Sequence, residues 1–245
     1  DTEAPTCTIT FTDTTLLEGE TSLVTIVFNE AVASFANADL TIPNGAMTDV
    51  ASSDDITWTS TFTPTASTQD AVNVVVIATS YTDTLLNTGT ACTSANFVID
   101  GVDPTVSSIT MADTTLIEGE TSLLTIVFSE AVAAFANADV SAPSGAISTL
   151  STADSGITWT ATYTPTADTT DASNTIIVAT SYTDTAGNAG GAGTSANYAV
   201  DTLAPSVSTL SLSDTTLLVG DTATLTIVFS EAVAGFANED VTITS

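Results

Sequence analysis

The sequence contains no lysine, arginine or histidine, so none of its side chains is a cation at neutral pH. With 29 Asp and Glu residues among 245, the formal net charge is −29. Such a chain repels nucleic-acid phosphates and anionic lipid headgroups, which argues against nucleic-acid binding and membrane-surface binding. The missing imidazole and amine groups exclude a histidine base, a lysine Schiff base and a Ser-His-Asp triad.

Long apolar runs are absent as well. No stretch approaches the roughly 20 residues of a membrane-spanning helix, so we expect no membrane insertion in this segment. Residues 1–5 do not resemble a signal peptide, and a secretion signal is expected to lie outside this sequence. The chain is nevertheless not a disordered acid, because hydrophobic residues make up 43% of it and its mean hydropathy is +0.36.

The sequence repeats itself at intervals of about one hundred residues. The segment TIVFNEAVASFANADL (25–40) returns as TIVFSEAVAAFANADV (125–140) and again as TIVFSEAVAGFANEDV (226–241). A second pair of matching segments, DITWTSTFTPT (55–65) and GITWTATYTPT (156–166), has no third copy. The chain is therefore predicted to consist of similar units of about one hundred residues each.

Three repeats follow from this comparison: repeat 1 (residues 1–99), repeat 2 (100–200) and repeat 3 (201–245). Repeat 3 holds less than half of the common pattern. Half of such a unit cannot bury a core, so we expect the chain to be part of a longer array or to be completed by another molecule.

Within each repeat the hydrophobic period is two rather than 3.6. In residues 22–28, Val24, Ile26 and Phe28 point to one side of the predicted strand, and in residues 56–63 threonine takes every second position. About seven short strands per repeat, with turn signals every 8–12 residues, are typical of an immunoglobulin-like sandwich. We predict an all-β fold of tandem immunoglobulin-like β-sandwich repeats of about 100 residues, the third truncated.

Several short motifs recur in a fixed order. They include DTEAP (1–5), FSEAV (128–132), TWTATYTPT (158–166), DTAGN (184–188) and DTLAP (201–205). In this order and spacing they resemble the bacterial Ig-like repeats of large secreted adhesins and biofilm-associated surface proteins. The resemblance implies an extracellular, cell-surface stalk or adhesive array, often stiffened by calcium.

The topology of an immunoglobulin-like sandwich places many acidic residues at the two ends of each repeat. Two loops and the opening segment lie at the end where the chain enters, and further acids lie at the opposite end. End-to-end stacking therefore brings acids from neighbouring repeats together. The candidate metal ligands are Asp1, Glu20, Glu30, Asp39, Asp83, Asn87, Asp100, Asp103, Glu120, Glu130, Asp139, Asp184, Asn188, Asp201, Glu231 and Asp240.

Carboxylates that lie close together repel, and this chain has no cationic side chain to relieve them. Calcium accepts six to eight oxygen ligands in irregular geometry, whereas magnesium requires a tighter octahedron and zinc prefers His and Cys. We predict structural Ca²⁺ that fixes neighbouring repeats of the same chain. Two other interpretations stay open: the acids are ordinary solvated loop residues, or the composition is an adaptation to high salt.

The sequence contains two cysteines, both in repeat 1. Cys7 lies in the predicted first strand and Cys92 near the start of the last, and these strands commonly run side by side in such sandwiches. A disulfide is therefore expected, with two buried free thiols as the alternative. Closing a loop of about 85 residues would contribute roughly 4–5 kcal/mol to stability. A disulfide would also favour an oxidising compartment.

We expect a non-enzymatic extracellular spacer or stalk in cell-surface adhesion or biofilm matrix. The alternative is a subunit of an extracellular filament or sheath, in which a neighbouring chain completes repeat 3 and other copies are the partners. The tripeptide Asp154-Ser-Gly156 resembles an aspartic-protease motif, but its counterpart in repeat 1 reads Asp54-Asp-Ile56, so no catalysis is expected. The threonine ladder of residues 57–65 could carry sugar, bind ice-like water or pack on a filament, or simply reflect strand propensity.

Overall fold

The computed structural model describes residues 2–244, which form short β-strands joined by turns. Repeat 1 contains β1 (Cys7–Phe11), β2 (Thr15–Leu16), β3 (Ser22–Phe28), β4 (Val32–Ala33), β5 (Leu40–Thr41), β6 (Gly45–Met47), β7 (Ala51–Ser52), β8 (Thr57–Pro64), β9 (Gln69–Asn73), β10 (Val76–Ile77), β11 (Thr82–Asp83), β12 (Cys92–Thr93) and β13 (Phe97–Asp100).

Repeat 2 has the same series of strands. They are β14 (Val106–Met111), β15 (Thr115–Ile117), β16 (Ser122–Phe128), β17 (Val132–Ala133), β18 (Val140–Ser141), β19 (Gly145–Ile147), β20 (Ser151–Thr152), β21 (Thr158–Pro165), β22 (Thr170–Asn174), β23 (Ile177–Val178), β24 (Thr183–Asp184), β25 (Gly193–Thr194) and β26 (Tyr198–Asp201). Repeat 3 contributes β27 (Val207–Leu212) and β28 (Leu225–Phe229).

Helical structure among the described residues is confined to one 3₁₀ turn per repeat, at Asn37–Asp39, Asn137–Asp139 and Asn238–Asp240. None of these turns is long and apolar enough to cross a membrane. The predicted all-β character is therefore confirmed.

Each of the first two repeats is a sandwich of one larger sheet and smaller facing sheets. In repeat 1 the larger sheet has the order β1-β3-β8-β6, with β7 also paired to β8, and the facing sheets are β2-β13-β9 and β5-β10-β12. Repeat 2 reproduces the arrangement as β14-β16-β21-β19, β15-β26-β22 and β18-β23-β25. The pairings β2–β13 and β15–β26 are parallel, and they hold the last strand of each repeat against a strand near its start.

The alternation predicted for β3 is confirmed. Val24 and Ile26 are fully buried and Phe28 nearly so, whereas Leu23 and Val27 of the same strand are exposed. Because successive side chains of a strand point to opposite faces, this one segment fixes which face of the larger sheet covers the core.

A buried tyrosine closes the upper end of each sandwich, the end at which the chain enters the repeat. Tyr81 Oη donates a hydrogen bond to Thr90 O (2.8 Å), and Tyr182 Oη donates to Gly191 O (2.7 Å). Both rings require a glycine beside them: a Cβ added to Gly190 would lie 2.3 Å from the ring of Tyr182. The acidic loops described below are built around these anchored tyrosines.

Repeat 3 leaves its core face uncovered within the described residues. Leu217 is 49% exposed, whereas its counterpart Leu116 in repeat 2 is 1% exposed. Leu210, Leu225 and other apolar side chains line an open groove of about 740 Å³ on this face. The described part of repeat 3 thus supplies one half of a sandwich.

Cys7 and Cys92 form a disulfide with a Cα–Cα distance of 6.0 Å, and it links β1 to β12. Repeat 2 has Val106 and Gly193 at the corresponding positions. A Cβ added to Gly193 would lie 2.7 Å from Val106 Cβ, so the valine occupies the space that a larger residue would need. A tight apolar contact in repeat 2 thus replaces the covalent bond of repeat 1.

Substitution Gly193→Ala is expected to destabilise repeat 2 by about 1–3 kcal/mol, because the new methyl group overlaps Val106 and forces the strands apart. Urea unfolding monitored by hydrogen exchange in repeat 2 would measure the change. Gly191→Ala is the matched control, since its added Cβ would approach no atom closer than 3.7 Å. Equal stability of the two variants would contradict the close contact.

Candidate metal centre

Asp184 is held in place by the loop that follows it. It ends the short strand β24, is 2% exposed, and its Oδ1 accepts the backbone N–H groups of Ala186 (2.9 Å), Gly187 (2.6 Å) and Asn188 (2.9 Å). Its Oδ2 accepts the side-chain amide of Asn188 (2.8 Å). Gly187 has φ +117°, a left-handed conformation that glycine adopts without strain. The loop therefore wraps around the Asp184 carboxylate and presents it at the upper end of repeat 2.

Asp100 reaches the same place from the first sandwich. The sequence comparison counts it as the first residue of repeat 2, but the structure places it in β13, which pairs with β2 and β9 of repeat 1. It ends β13 at the lower end of repeat 1, where it pairs in register with Gln69 of β9. Gln69 Nε2 donates to Asp100 Oδ2 (3.1 Å) and to Glu130 Oε2 of repeat 2 (3.3 Å). Asn188 Nδ2 donates to the backbone carbonyl of Asp100 (2.8 Å). Hydrogen bonds thus tie the two repeats together where they meet, a region that we call the first seam.

Asp100, Glu130 and Asp184 form an acidic trio at the first seam. One carboxylate oxygen from each lies within 4.8 Å of the other two. Burial raises the pKa of the Glu130 carboxyl, and the charges of Asp100 and Asp184 raise it further, against a lowering hydrogen bond from Gln69. Asp100 Oδ1 is buried and accepts no hydrogen bond from the described residues. The trio therefore combines crowded negative charge with an unsatisfied oxygen ligand, an arrangement that fits a hard cation.

A cavity lies beside Asp100, the first member of the trio. Leu16, Leu17 and Val98 of repeat 1 and the loop residues Thr185 and Ala186 of repeat 2 line a cavity of about 410 Å³ beside Asp100. Residues of both repeats therefore line one cavity at the first seam.

A family model for the bacterial Ig-like domain matches residues 1–99, 100–200 and 201–245. The chain belongs to the bacterial Ig-like domain family. This confirms the resemblance drawn from the sequence motifs. A comparison with the curated proteins finds no match.

A comparison with solved structures finds FdeC, described as a broadly conserved Escherichia coli adhesin. The two chains are 17% identical, the match covers 92% of this chain and 73% of that one, and the TM-score is 0.35. A likeness of this size carries no argument about the present chain.

Three of the predicted ligands have local structural roles in these bacterial Ig-like repeats. Asp39 accepts the backbone N–H of Ala36 (2.9 Å) and a hydrogen bond from the hydroxyl of Ser80. Asp139 and Asp240 hold the corresponding 3₁₀ turns in the same way through their backbone contacts. The structure does not bring these carboxylates to the trio.

Glu20 and Glu120 close turns at the lower end of their repeats. The Oε2 atom of Glu20 accepts the backbone N–H of Leu17 (3.0 Å), and that of Glu120 accepts the N–H of Ile117 (3.1 Å). Both glutamates are exposed. They lie outside the trio.

The upper end of repeat 1 repeats part of the arrangement. Asp83 is buried and accepts the backbone N–H of Asn87 (2.8 Å) and its side-chain amide (2.6 Å). Burial raises the pKa of Asp83, but these hydrogen bonds outweigh it and hold the pKa below its ordinary value. Glu30 is half-buried, and Asp1, the third predicted acid of this end, lies outside the described residues.

The remaining predicted ligands lie at or near the seams. Asp103 is exposed, but its charge helps to raise the pKa of Glu130. At the junction of repeats 2 and 3, Asp201 accepts the hydroxyl of Thr170 (2.9 Å) and Glu231 is exposed. Within residues 2–244, the trio of the first seam is the one group of three acids this close together.

Sequence reasoning missed Gln69, whose amide bridges the two repeats. Its neighbour Asp70 marks the lower end of repeat 1 in the sequence, but an uncharged amide gives no signal of its own. Repeat 2 has Thr170 at this position, which reaches only Asp201. The difference between Gln69 and Thr170 is the sequence signal that could have distinguished the first seam from the junction of repeats 2 and 3.

The raised pKa of Glu130 predicts a pH dependence for the metal-free chain. The folded state holds the Glu130 proton more tightly than the unfolded state, so this contribution to stability is full below the ordinary glutamate pKa of 4.5 and is lost as pH rises through the higher folded value. Urea unfolding in chelator at stepped pH should show this loss, and Glu130→Gln should remove it. Glu120→Gln, at an exposed turn, should leave the profile unchanged; equal profiles for wild type and Glu130→Gln would contradict the assignment.

Proposed function

We propose that the chain is a non-enzymatic extracellular repeat array that serves as a spacer or stalk in cell-surface adhesion or biofilm matrix, with calcium stiffening its first seam. Membership of the bacterial Ig-like domain family supports a surface, adhesin-like repeat role. The observation that carries the mechanism is the trio of Asp100, Glu130 and Asp184, because Asp100 ends β13 of the first sandwich whereas Glu130 and Asp184 belong to the second. A cation bound there would resist bending and separation of the two repeats.

Electrostatics supports a cation in the first seam. Two carboxylate charges about 5 Å apart repel by roughly 3 kcal/mol at an effective dielectric constant of about 20. Three such charges at the seam favour an open, bent arrangement unless a positive charge enters. The chain supplies none, because it has no Lys, Arg or His. A dissolved cation is the remaining source.

Calcium is the cation that suits this donor set. All the available ligands are oxygen atoms from loops and strand ends, and calcium tolerates their irregular geometry. Zinc prefers His or Cys ligands, but the chain has no His and both cysteines are engaged in the disulfide. We expect an affinity of about 10⁻⁴–10⁻³ M, the range of extracellular calcium modules. Calcium outside the cell would then keep the site filled.

The one catalytic motif considered from the sequence has a structural use. Asp154 Oδ1 accepts the backbone N–H of Thr158 (2.8 Å) and the hydroxyl of Thr152 (2.9 Å). The hydrogen bonds from Thr158 lead in lowering the pKa of Asp154 to about 2. A carboxylate held ionised in a turn is a poor proton donor or acceptor at neutral pH, which supports a non-enzymatic role.

Small-angle X-ray scattering tests the stiffening. With calcium we expect a larger maximum dimension and a narrower distance distribution than with chelator, because the first seam is then fixed. The double substitution Glu130→Gln and Asp184→Asn removes both the ligands and most of the repulsion, so its profile should be the same in calcium and in chelator.

Glu231→Gln is the matched control for this scattering experiment, since Glu231 is the equivalent glutamate at the other junction and lies outside the trio. It should retain the calcium response. Identical wild-type profiles with and without calcium would overturn the stiffened stalk.

The open face of repeat 3 favours a second candidate, a subunit of an extracellular filament or sheath. A neighbouring chain whose strands covered this face would bury Leu210 and Leu225, whose counterparts in repeat 2 are buried. Electron microscopy and size-exclusion chromatography over a range of concentrations distinguish the two. Monomeric rods support the stalk. Fibres that Leu225→Asp disperses, and that Val228→Asp on the opposite face of β28 does not, support the filament.

A further inference from the structure

The disulfide joins two points close to the ends of repeat 1. Cys7 begins the first strand, β1, and Cys92 lies 85 residues later, in the strand before the last one. Only residues 93–100, which include β13, separate Cys92 from the first seam. The covalent bond therefore spans almost the whole repeat along the chain.

Repeat 2 has the same topology without this bond. Its β14 and β25 meet through Val106 and Gly193, a contact held by packing alone. The two repeats thus differ at one pair of positions in how their first strand is attached to their second-last strand. A force applied along the chain is carried by this attachment, which is covalent in repeat 1 and depends on packing alone in repeat 2.

We propose that the Cys7–Cys92 disulfide prevents repeat 1 from unravelling under tension, so that repeat 2 is the unit that unfolds and lengthens when the chain is pulled. The inference rests on the proposed stalk for its biological meaning, because a stalk between two surfaces is loaded at its ends. The mechanical difference itself depends on the covalent bond alone.

Tension that enters repeat 1 passes from β1 through the disulfide to β12. The residues between Cys7 and Cys92 carry no load, and their core stays intact. Pulling on Asp100 can peel β13 from β2 and β9, but the peeling stops at Cys92. Since β13 is already extended, the length released is well below about 50 Å.

In repeat 2 no covalent bond carries the tension past the core. It runs from β14 to β26 and is resisted by the parallel pairing of β15 with β26, in which Ala199 N–H donates to Thr114 O (2.8 Å). Once this pairing shears, nothing covalent holds the fold. Unravelling of residues 104–201 would then release about 300 Å of chain.

The expected behaviour is a stalk with one segment of fixed length and one that yields. Reduction of the disulfide would convert repeat 1 into a second yielding segment. Repeat 3 would release a shorter length, at most about 140 Å for residues 205–244, so its extension is distinguishable from that of repeat 2.

Single-molecule force spectroscopy on the full chain, tethered at both termini, tests the inference. Oxidised wild type should show one extension step of about 300 Å. Cys7→Val with Cys92→Gly, which gives repeat 1 the residues of repeat 2, should show two. The reverse exchange, Val106→Cys with Gly193→Cys, should show none when oxidised. Two such steps from oxidised wild type, or one from the Cys7→Val, Cys92→Gly variant, would overturn the inference.

Reductant provides the control. Added to folded wild type it should produce the second step, which keeps the test valid if the cysteine-free variant fails to fold, and it should not change that variant. The number of steps should be the same in calcium and in chelator. If calcium does not stiffen the first seam, the number of extension steps is therefore unchanged. If the disulfide does not prevent repeat 1 from unravelling, the scattering result is unchanged.

Discussion

The structure is governed by the absence of any cationic side chain. Every carboxylate in this chain must be stabilised by backbone amides, side-chain amides, hydroxyls, solvent or a dissolved cation. Backbone amides meet the need at many turns: Asp113 accepts the N–H of Thr115 (2.9 Å), and Asp184 accepts three N–H groups of its own loop. The acids therefore shape the loops of the sandwich as well as charging its surface.

At the first seam, the chain does not provide enough hydrogen-bond donors for its carboxylates. Gln69 offers one amide to both Asp100 and Glu130, and Asp100 Oδ1 is left buried without a donor from the described residues. Leu17 lines a cavity at the same seam. In the mechanism that we propose, repulsion within the trio opposes contact between repeats 1 and 2, so the angle between them depends on what neutralises the trio. A bound cation would decide it in favour of contact.

The fold could be predicted because the alternation of apolar residues in β3 is typical of a half-buried strand, and the repeat of about one hundred residues divides the chain into similar units. It could not rank the acids. Asp139 and Asp184 both recur in their repeats, but Asp139 is used by the backbone of a 3₁₀ turn, and Asp184 faces another repeat. That difference depends on which hydrogen-bond donors folding brings close to each carboxylate. Gln69, which bridges the seam, carried no charge to reveal it.

The most direct test of the account is anomalous diffraction from crystals grown in calcium. The account predicts a calcium peak between Asp100, Glu130 and Asp184, with carboxylate oxygens at about 2.3–2.6 Å from it. A well-ordered seam without such a peak, in which these side chains turn apart into solvent, would contradict the claim that metal holds the repeats together.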